Sequence, residues 1–361
     1  MVLVTRRVAI GTLSVGALTT LAACGSDAGG TAHADPNSTL SGEVKGAGAT
    51  SQADAQEAWL NAFMDVHAGV TVEYAGGGSG AGRTKLIEGA VDFAGSDSAM
   101  KEDEVASMGE WGVVEVPLYI SPIAVAYNLP DLDTSTHVNM TGEVVAQVFA
   151  GQITTWNDPR LTALNPGVAL PDTAIIPVHR SDDSGTTKSF TSYLSAVAPE
   201  VWTHEADDAW PLSGGQSGDG TSGVVSTLRS AEGTIGYADA SKVDQTLGTV
   251  AVGTADSFVS LSAEAAAATL EASQPAEDAT DTRVTYTIDY TAEGGYPIIL
   301  VSYLVARQRY DDPDITSGVK AYFEYMASAE GQTVAAEASG CAPLSEQLRA
   351  KVLAAISTIG S

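Results

Sequence analysis

The chain has 361 residues, of which 45 are acidic and 17 are lysine or arginine, and its net charge at neutral pH is −28. A surface this acidic repels nucleic acid and anionic membranes, which excludes both as direct binding partners. Two cysteines are too few for a thiolate zinc cage, and we expect no metal and no cofactor. The length is sufficient for two domains with large cores.

The first element along the chain is an export signal. Arg6 and Arg7 precede an uncharged apolar run over residues 8–23, which is short for a membrane span. This pattern is typical of a secretory signal peptide covering residues 1–23. The run ends in Leu-Ala-Ala before Cys24, an ending that resembles a bacterial lipobox, so we expect Cys24 to be lipidated. The alternative is an ordinary signal peptide with an incidental cysteine.

Lipidation of Cys24 would place the protein on the outer face of the cell membrane. It would leave Cys341 without a disulfide partner, and we expect Cys341 to be a small buried residue. Residues 24–43 are rich in glycine, serine, alanine and aspartate and indicate a flexible tether. Removing residues 1–23 removes two arginines and no acid, which makes the net charge −30.

From residue 44 onward, strand and helix patterns alternate, which indicates α/β layers. Strands are predicted over residues 44–49, 70–74, 91–95, 115–128, 174–178, 233–237 and 296–306. Helices are predicted over residues 51–66, 81–88, 141–149, 190–198, 262–272, 316–328 and 343–358. Open sheets of this class bind ligands at the carboxyl ends of their strands.

Three strand-to-helix turns place a hydroxyl residue beside glycine, at residues 48–51, 78–80 and 184–186. The hydroxyl and the unpaired N–H groups of a helix start form a site for a small anion. Each turn alone is most simply a helix cap. Three turns together with Arg180 favour one convergent oxyanion site. Because the chain is so acidic, such a site must use short-range dipoles and very few full charges.

The same segments carry a family resemblance. The runs that match are GAGAT (46–50), YAGGGSG (74–80), VDFAGSD (91–97), VFAGQITTWNDP (148–159), LNP (164–166), RSDDSGTT (180–187) and GTIGY (233–237). In order and spacing they resemble the phosphate-binding lipoprotein of the bacterial phosphate-specific ABC transporter, over residues 44–358. The resemblance implies a binding protein rather than an enzyme, with inorganic phosphate and membrane permease subunits as its partners.

The resemblance also implies a two-lobed periplasmic-binding-protein-like fold of type II, with two α/β lobes that hinge strands join and that close on phosphate. The chain would cross between lobes near Ile120 and return near Ile298. Lobe I would then comprise residues 44–120 plus 299–361, and lobe II residues 121–298.

The phosphate ligands of the family fall on Thr50, Ser51, Ser79, Asp97, Arg180, Ser184, Gly185 and Thr186, with Asp182 in the position that holds the arginine. An ionised Asp97 only accepts hydrogen bonds. It can accept the proton that phosphate keeps near neutral pH, but it faces sulfate with no donor between them, which costs several kcal/mol. We therefore expect Asp97 to select phosphate over sulfate.

Two positions depart from the family pattern. Ser51 stands where an aromatic residue is frequent, and that position contributes mainly its backbone N–H. Asp183 stands where glycine is usual, and a carboxylate beside an anion is unfavourable unless it points to solvent.

Three alternatives stay open. Asp183, Ser184 and Gly185 superficially resemble the serine segment of trypsin-like proteases, but a hydrolase needs a histidine within reach of the serine. The candidates for that histidine are His67, His137, His179 and His204. A phosphatase would need clustered metal ligands, which the sequence does not present. A third alternative keeps the binding fold and changes the ligand to another tetrahedral oxyanion, such as arsenate.

Overall fold

The computed structural model describes residues 38–361; the predicted signal peptide and Cys24 lie outside the described residues. The strands are β1 (Gly42–Gly48), β2 (Val70–Ala75), β3 (Phe93–Ser96), β4 (Val113–Tyr127), β5 (Val138–Thr141), β6 (Ile176–Arg180), β7 (Gln216–Gly218), β8 (Thr234–Asp239), β9 (Gly248–Thr254), β10 (Ser257–Val259), β11 (Gln274–Pro275), β12 (Tyr286–Thr287) and β13 (Ile299–Arg307). The α-helices are α1 (Ala53–Val66), α2 (Ser79–Glu88), α3 (Glu102–Met108), α4 (Gly142–Phe149), α5 (Pro159–Leu164), α6 (Gly185–Val197), α7 (Gly220–Ser230), α8 (Ala263–Ala272), α9 (Pro313–Ala327), α10 (Ala329–Ser339) and α11 (Glu346–Ser357).

The long strand β4 belongs to both lobes. In lobe I the strand order is β2-β1-β3-β13-β4, with β1, β2 and β3 parallel to one another. In lobe II the order continues as β4-β8-β6-β7, with β6, β7 and β8 parallel. β4 pairs with β13 as far as Pro122 and with β8 from Ile123. The chain therefore changes lobe at this point, and the two-lobed α/β fold predicted from the sequence is confirmed.

The return crossing lies directly beside the first one. The N–H of Ile123 donates to the carbonyl of Ile298 at 2.8 Å, and β13 starts at the next residue, Ile299. All 15 residues of β4 are buried, as expected of a strand that helices cover on both faces. β4 and β13 therefore lie side by side where the strand pairing changes, and the lobe crossings near Ile120 and Ile298 stay a prediction.

Some elements differ from the sequence prediction. β1 begins at Gly42, inside the range predicted as tether, and pairs there with Val70. The sequence pattern does not predict helix α10, because Gly331 interrupts its weak apolar face; the buried indole of Trp59 in α1 donates to the Gly331 carbonyl at 2.6 Å. The sequence prediction also lacks the elements α3, α5, α7, β5, β7, β9, β10, β11 and β12.

A strap of residues 274–290 leaves lobe II and packs on lobe I. Its Arg283 forms an ion pair with the buried Glu115 of β4, with Nε and Oε2 2.9 Å apart. The N–H of Val284 donates to the Glu115 carbonyl at 2.8 Å. The segment lies within the range predicted as lobe II, and besides β4 it contacts Met100 and Tyr303 of lobe I, through Arg283 and the N–H of Tyr286.

Cys341 is a free buried cysteine, as predicted, and burial raises the pKa of its thiol to about 11. Among residues 38–361, no helix combines the length and the apolar character that crossing a membrane requires. The same residues contain no group of three or more histidine, cysteine or acidic side chains placed to hold a metal ion.

Candidate functional site

Lobe I brings three loops to the carboxyl edge of its parallel strands. Thr50 and Ser51 follow β1, Ser79 opens α2 after β2, and Asp97 follows β3. Neighbouring parallel strands end at the same edge, which is where open α/β sheets bind ligands. The helix starts of α1 and α2 receive no side-chain cap, so their first N–H groups remain available to an anion.

Lobe II repeats this arrangement from the opposite side. Arg180 is the last residue of β6, and α6 begins five residues later. Ser184 caps α6, since its hydroxyl accepts the N–H of Thr187 at 3.3 Å. The parallel neighbour β7 leads into α7 in the same way, at Gly220. The starts of α6 and α7 therefore face the loops of lobe I.

The Asp97 carboxylate is the centre of the site and is only 3% exposed. Its Oδ1 accepts the hydroxyls of Ser51 and Ser302, each at 2.6 Å. Its Oδ2 accepts the hydroxyl of Thr186 at 2.7 Å. Its own backbone N–H donates to the Ser79 hydroxyl at 3.1 Å. Four hydroxyl groups from four separate segments thus converge on one buried acid.

Burial raises the pKa of Asp97 above its ordinary value. The hydrogen bonds from Ser302, Ser51 and Thr186 and the positive charge of Arg180 act in the opposite direction and only partly offset burial. All three hydroxyls donate to the carboxylate, which is how an ionised carboxylate is satisfied in a protein interior. The site is therefore organised around an acceptor of hydrogen bonds.

Arg180 supplies the positive charge and is also 3% exposed. Its Nε donates to Asp182 Oδ1 at 2.7 Å and its Nη2 to Oδ2 at 2.5 Å. The N–H of Gly220 adds a third bond to Asp182 at 3.1 Å. Although burial opposes ionisation of Asp182, the bonds and charge of Arg180 hold the pKa of this carboxyl below its usual range. Within residues 38–361 the Nη1 of Arg180 donates to no protein group, which leaves it to an oxyanion.

The two lobes touch across the site. The N–H of Thr221, at the start of α7, donates to the Thr50 hydroxyl at 3.0 Å. A methyl group added to Gly185 would lie 2.8 Å from Asp97 Cβ and from Ser79 Oγ. Gly78 has a φ of +90°, and a Cβ there would lie 2.6 Å from the Asp183 carbonyl oxygen. The glycine-containing turns of the two lobes therefore meet at distances that admit no side chain, so the structure is a closed form.

The structure accounts for the two departures from the family pattern. Asp183 is exposed, and its Cβ would lie 3.0 Å from a Cβ on Gly80, which places it at the rim between the lobes. Among the described residues its carboxylate forms no hydrogen bond with Asp97 and no ion pair with Arg180. Ser51 is buried and gives its hydroxyl to Asp97, a contact beyond the backbone N–H that the resemblance implies for it.

The structure also brings in residues that the sequence pattern does not reveal. Ser302 on β13 contacts Asp97 and accepts the amide of Gln52 at 2.5 Å. The Tyr237 hydroxyl lies 2.7 Å from Thr187 Oγ1 and accepts the N–H of Arg180 at 3.3 Å. The sequence could have indicated Ser302 only as a small polar residue inside the apolar run of β13. The Asp-Gly-Thr turn before α7 repeats the pattern of the other three turns and is the available signal for Thr221.

None of the four candidate histidines is hydrogen-bonded to Ser184 among the described residues, and each has another partner. His179 stacks on Trp210 and donates Nδ1–H to the Arg180 carbonyl at 2.8 Å. His67, His137 and His204 contact Ser38, Thr249 and Trp202, respectively. The Ser184 hydroxyl is engaged as the cap of α6. Among the described residues Ser184 thus has no histidine hydrogen-bonded to it, and the hydrolase alternative requires such a pair at this serine.

Comparison with known proteins gives a consistent result. Residues 33–330 match the model of the PBP superfamily domain. The chain is 31% identical to phosphate-binding protein PstS 3 of Mycobacterium leprae (strain TN), over 97% of this chain and 98% of that protein. It is 33% identical to phosphate-binding protein PstS of Pasteurella multocida (strain Pm70), over 86% of this chain and 89% of that protein.

A solved structure extends the comparison to three dimensions. The fold is similar to a high-affinity periplasmic phosphate-binding protein (PfluDING) bound with phosphate, with a TM-score of 0.69 and 25% identity. The match covers 86% of this chain and 93% of that protein.

Proposed function

The chain belongs to the PstS family of phosphate-binding proteins, and we propose that it binds inorganic phosphate outside the cytoplasm and delivers it to an ABC phosphate importer. As a member of a transport family it is a binding protein and not an enzyme. The observation that carries the proposal is the convergence on Asp97: a buried acceptor from lobe I meets the hydroxyl of Thr186 from lobe II, beside a buried arginine.

Each group of the proposed site has a role in phosphate binding that follows from whether it donates or accepts hydrogen bonds. The Nη1 of Arg180 and the N–H groups at the starts of α1, α2 and α6 donate to the anion and hold it. The hydroxyls of Thr50, Ser79, Ser184 and Thr186 and the backbone of Ser51 and Gly185 complete the proposed shell. Asp97 accepts the proton that phosphate retains. Sulfate has no proton to give, so it would place two acceptors in contact in a dry site, at a cost of several kcal/mol.

Closure gives the protein a way to carry its ligand. Contacts between the lobes flank the ligand groups on both sides, at Thr50 with Thr221 and at Gly78 with Asp183. Phosphate would be released when the membrane permease subunits engage an opened form. The sequence contains no P-loop pattern, so nucleotide hydrolysis belongs to a separate subunit of the importer.

We further propose that Cys24 is lipidated and that residues 24–41 tether the lobes to the outer face of the membrane. The supporting observation is the lipobox-like ending of the apolar run, followed by a segment rich in small and polar residues. Expression of the full chain with labelled palmitate would incorporate label into the unaltered protein and not into Cys24→Ser. Equal labelling of the two proteins would contradict this anchor.

The direct test of the function is titration calorimetry of the purified protein with inorganic phosphate. We expect saturable binding of one phosphate per chain. Arsenate is then added as a competitor. Displacement of phosphate by arsenate at similar concentration would indicate a carrier of any tetrahedral oxyanion that can hold a proton, whereas weak displacement would indicate a specific phosphate carrier. Labelling of Ser184 by a fluorophosphonate, together with the absence of phosphate binding, would support the hydrolase alternative instead.

A further inference from the structure

A buried ion pair joins the lobes outside the phosphate site. Arg83 lies on α2 of lobe I, and Asp208 lies between α6 and β7 of lobe II. Their Nη2 and Oδ2 atoms are 2.5 Å apart, and the two side chains are 1% and 5% exposed. Neither residue is among those expected to touch phosphate.

Both carboxylate oxygens of Asp208 are bound by side chains of lobe I. Besides the bond from Arg83 to Oδ2, the hydroxyl of Ser98 donates to Oδ1 at 3.0 Å. Burial opposes the ionisation of Asp208, but the charge and hydrogen bond of Arg83 outweigh it and hold the pKa of the carboxyl below its usual range. In the closed form Asp208 is therefore a desolvated anion whose side-chain partners belong to the other lobe.

The backbone of Asp208 is part of the phosphate turn. Its carbonyl accepts the N–H of Ser184 at 2.9 Å, at the start of α6. On the other side, Arg83 lies one turn after Ser79 on the same helix and is fixed within lobe I by Glu104, whose Oε2 is 2.9 Å from its Nε. The pair thus connects the two helix starts that face the anion.

Separation of the lobes affects the two partners unequally. Arg83 keeps Glu104, Ser96 and Ser98 in lobe I, whereas Asp208 loses both of its side-chain partners to water. In the closed form, removing the charge of Asp208 leaves the buried Arg83 with only one of its two carboxylate partners. Removing one partner of a buried ion pair is strongly destabilising. The cost therefore applies mainly to the closed form. Because apparent affinity scales with the fraction of protein in the binding-competent form, this cost reduces phosphate affinity.

We propose that the Arg83–Asp208 pair is a latch that stabilises the closed form and thereby sets how long phosphate stays bound. Asp208 is a positioning residue in this role, because it acts through closure and does not touch the ligand. The effect on phosphate rests on the proposed function, whereas the effect on closure does not.

The chain offers a matched control one residue away. Asp207 also faces lobe I, where its Oδ1 lies 3.9 Å from Nζ of Lys101. These two side chains are 58% and 42% exposed, so their pair is solvated and contributes little. Asp207→Asn and Asp208→Asn make the same chemical change at adjacent positions, and they differ in burial and in the partner they lose.

The test compares phosphate affinity and dissociation rate in the two variants. We expect Asp208→Asn to raise the Kd at least tenfold, mainly by faster dissociation, and Asp207→Asn to stay within twofold of the unaltered protein. If Asp208→Asn does not fold, Ser98→Ala removes the second bond to the same carboxylate and should raise the Kd at least threefold. A Kd within twofold of the unaltered protein, for the variant that folds, would overturn the latch.

X-ray scattering of the phosphate-free protein separates this inference from the proposed function. If the unaltered protein fails to bind phosphate, the proposed function fails and the latch is judged by scattering alone. We then expect a larger radius of gyration for Asp208→Asn than for the unaltered protein and for Asp207→Asn. Identical radii in that case would overturn the latch.

Discussion

Thr186 Oγ1 of lobe II lies 2.7 Å from Asp97 Oδ2 of lobe I, so the acid expected to select the anion also takes part in closing the cleft. Ser51 and Ser302 occupy the other carboxylate oxygen from within lobe I. Residues of lobe I thus bind one carboxylate oxygen without any contribution from lobe II. The other oxygen receives its hydrogen bond from lobe II, which requires closure. We therefore expect selection of the ligand and closure of the lobes to depend on the same carboxyl group.

This arrangement predicts that selectivity depends on pH. Burial raises the pKa of Asp97, so it gains its proton at a higher pH than an exposed aspartate does. The protonated carboxyl donates a hydrogen bond, which removes the penalty against sulfate. We expect sulfate affinity to rise as pH falls from 8 to 4, measured by calorimetry. Asp97→Asn should lack this rise, and a flat sulfate profile in the unaltered protein would contradict the role of Asp97.

Arg180 should contribute a large part of the phosphate binding energy. We expect Arg180→Ala to weaken binding by at least about 2 kcal/mol, as for other truncations of a buried charged contact. Arg160 is a suitable control, because it makes the same bidentate contact to an aspartate, Asp158, on the protein surface. Arg160→Ala should leave the Kd unchanged. Equal Kd values for Arg180→Ala and the unaltered protein would remove Arg180 from the site.

Gly185 tests the closed geometry with one methyl group. The added Cβ would lie 2.8 Å from atoms of Asp97 and Ser79, which belong to the other lobe. We expect Gly185→Ala to fold normally and to lose at least about tenfold in phosphate affinity, since each 1.4 kcal/mol of steric cost in the closed form is a factor of ten. Gly80→Ala, whose Cβ would approach Asp183 at 3.0 Å, should lose less. A normal Kd for Gly185→Ala would show that the bound form is more open than this structure.

Asp239, at the end of β8, should make stability depend on pH. Tyr119 donates to its Oδ1 at 3.0 Å, while its buried Oδ2 has no partner among the described residues. Burial raises the pKa of this carboxyl to about 6, from an ordinary value of 3.8. Between these values the folded state holds the proton more tightly than the unfolded state, so stability falls as pH rises towards 6 and then levels off.

The measurement is urea unfolding of Asp239→Asn and the unaltered protein between pH 4 and pH 8. The pKa shift corresponds to at most about 3 kcal/mol. The quantity compared is the free energy of unfolding of the variant minus that of the unaltered protein. We expect this difference to increase by about 1–3 kcal/mol, in favour of the variant, from pH 4 to pH 8. A difference in the free energy of unfolding that does not change with pH would contradict this assignment.

Local sequence patterns are sufficient to locate part of the site. The turns carrying Thr50, Ser79 and Ser184 are recognisable because each places a hydroxyl beside glycine directly before a helical pattern. Ser302 and Asp208 are not recognisable, since their partners Asp97 and Arg83 lie 205 and 125 residues away in sequence. Such pairs depend on the lobe arrangement, which local periodicity does not specify. The lobe assignment itself comes from the family resemblance and not from the apolar pattern of β4.

The central claim is that Asp97 makes this protein a phosphate carrier by rejecting anions that have no proton. The most direct measurement is side-by-side calorimetry of the unaltered protein and Asp97→Asn with phosphate and with sulfate at pH 8. We predict that the unaltered protein prefers phosphate by at least about 100-fold, the ratio that a penalty of a few kcal/mol implies, and that Asp97→Asn loses most of this preference. An unchanged ratio of the two affinities in Asp97→Asn would contradict the account.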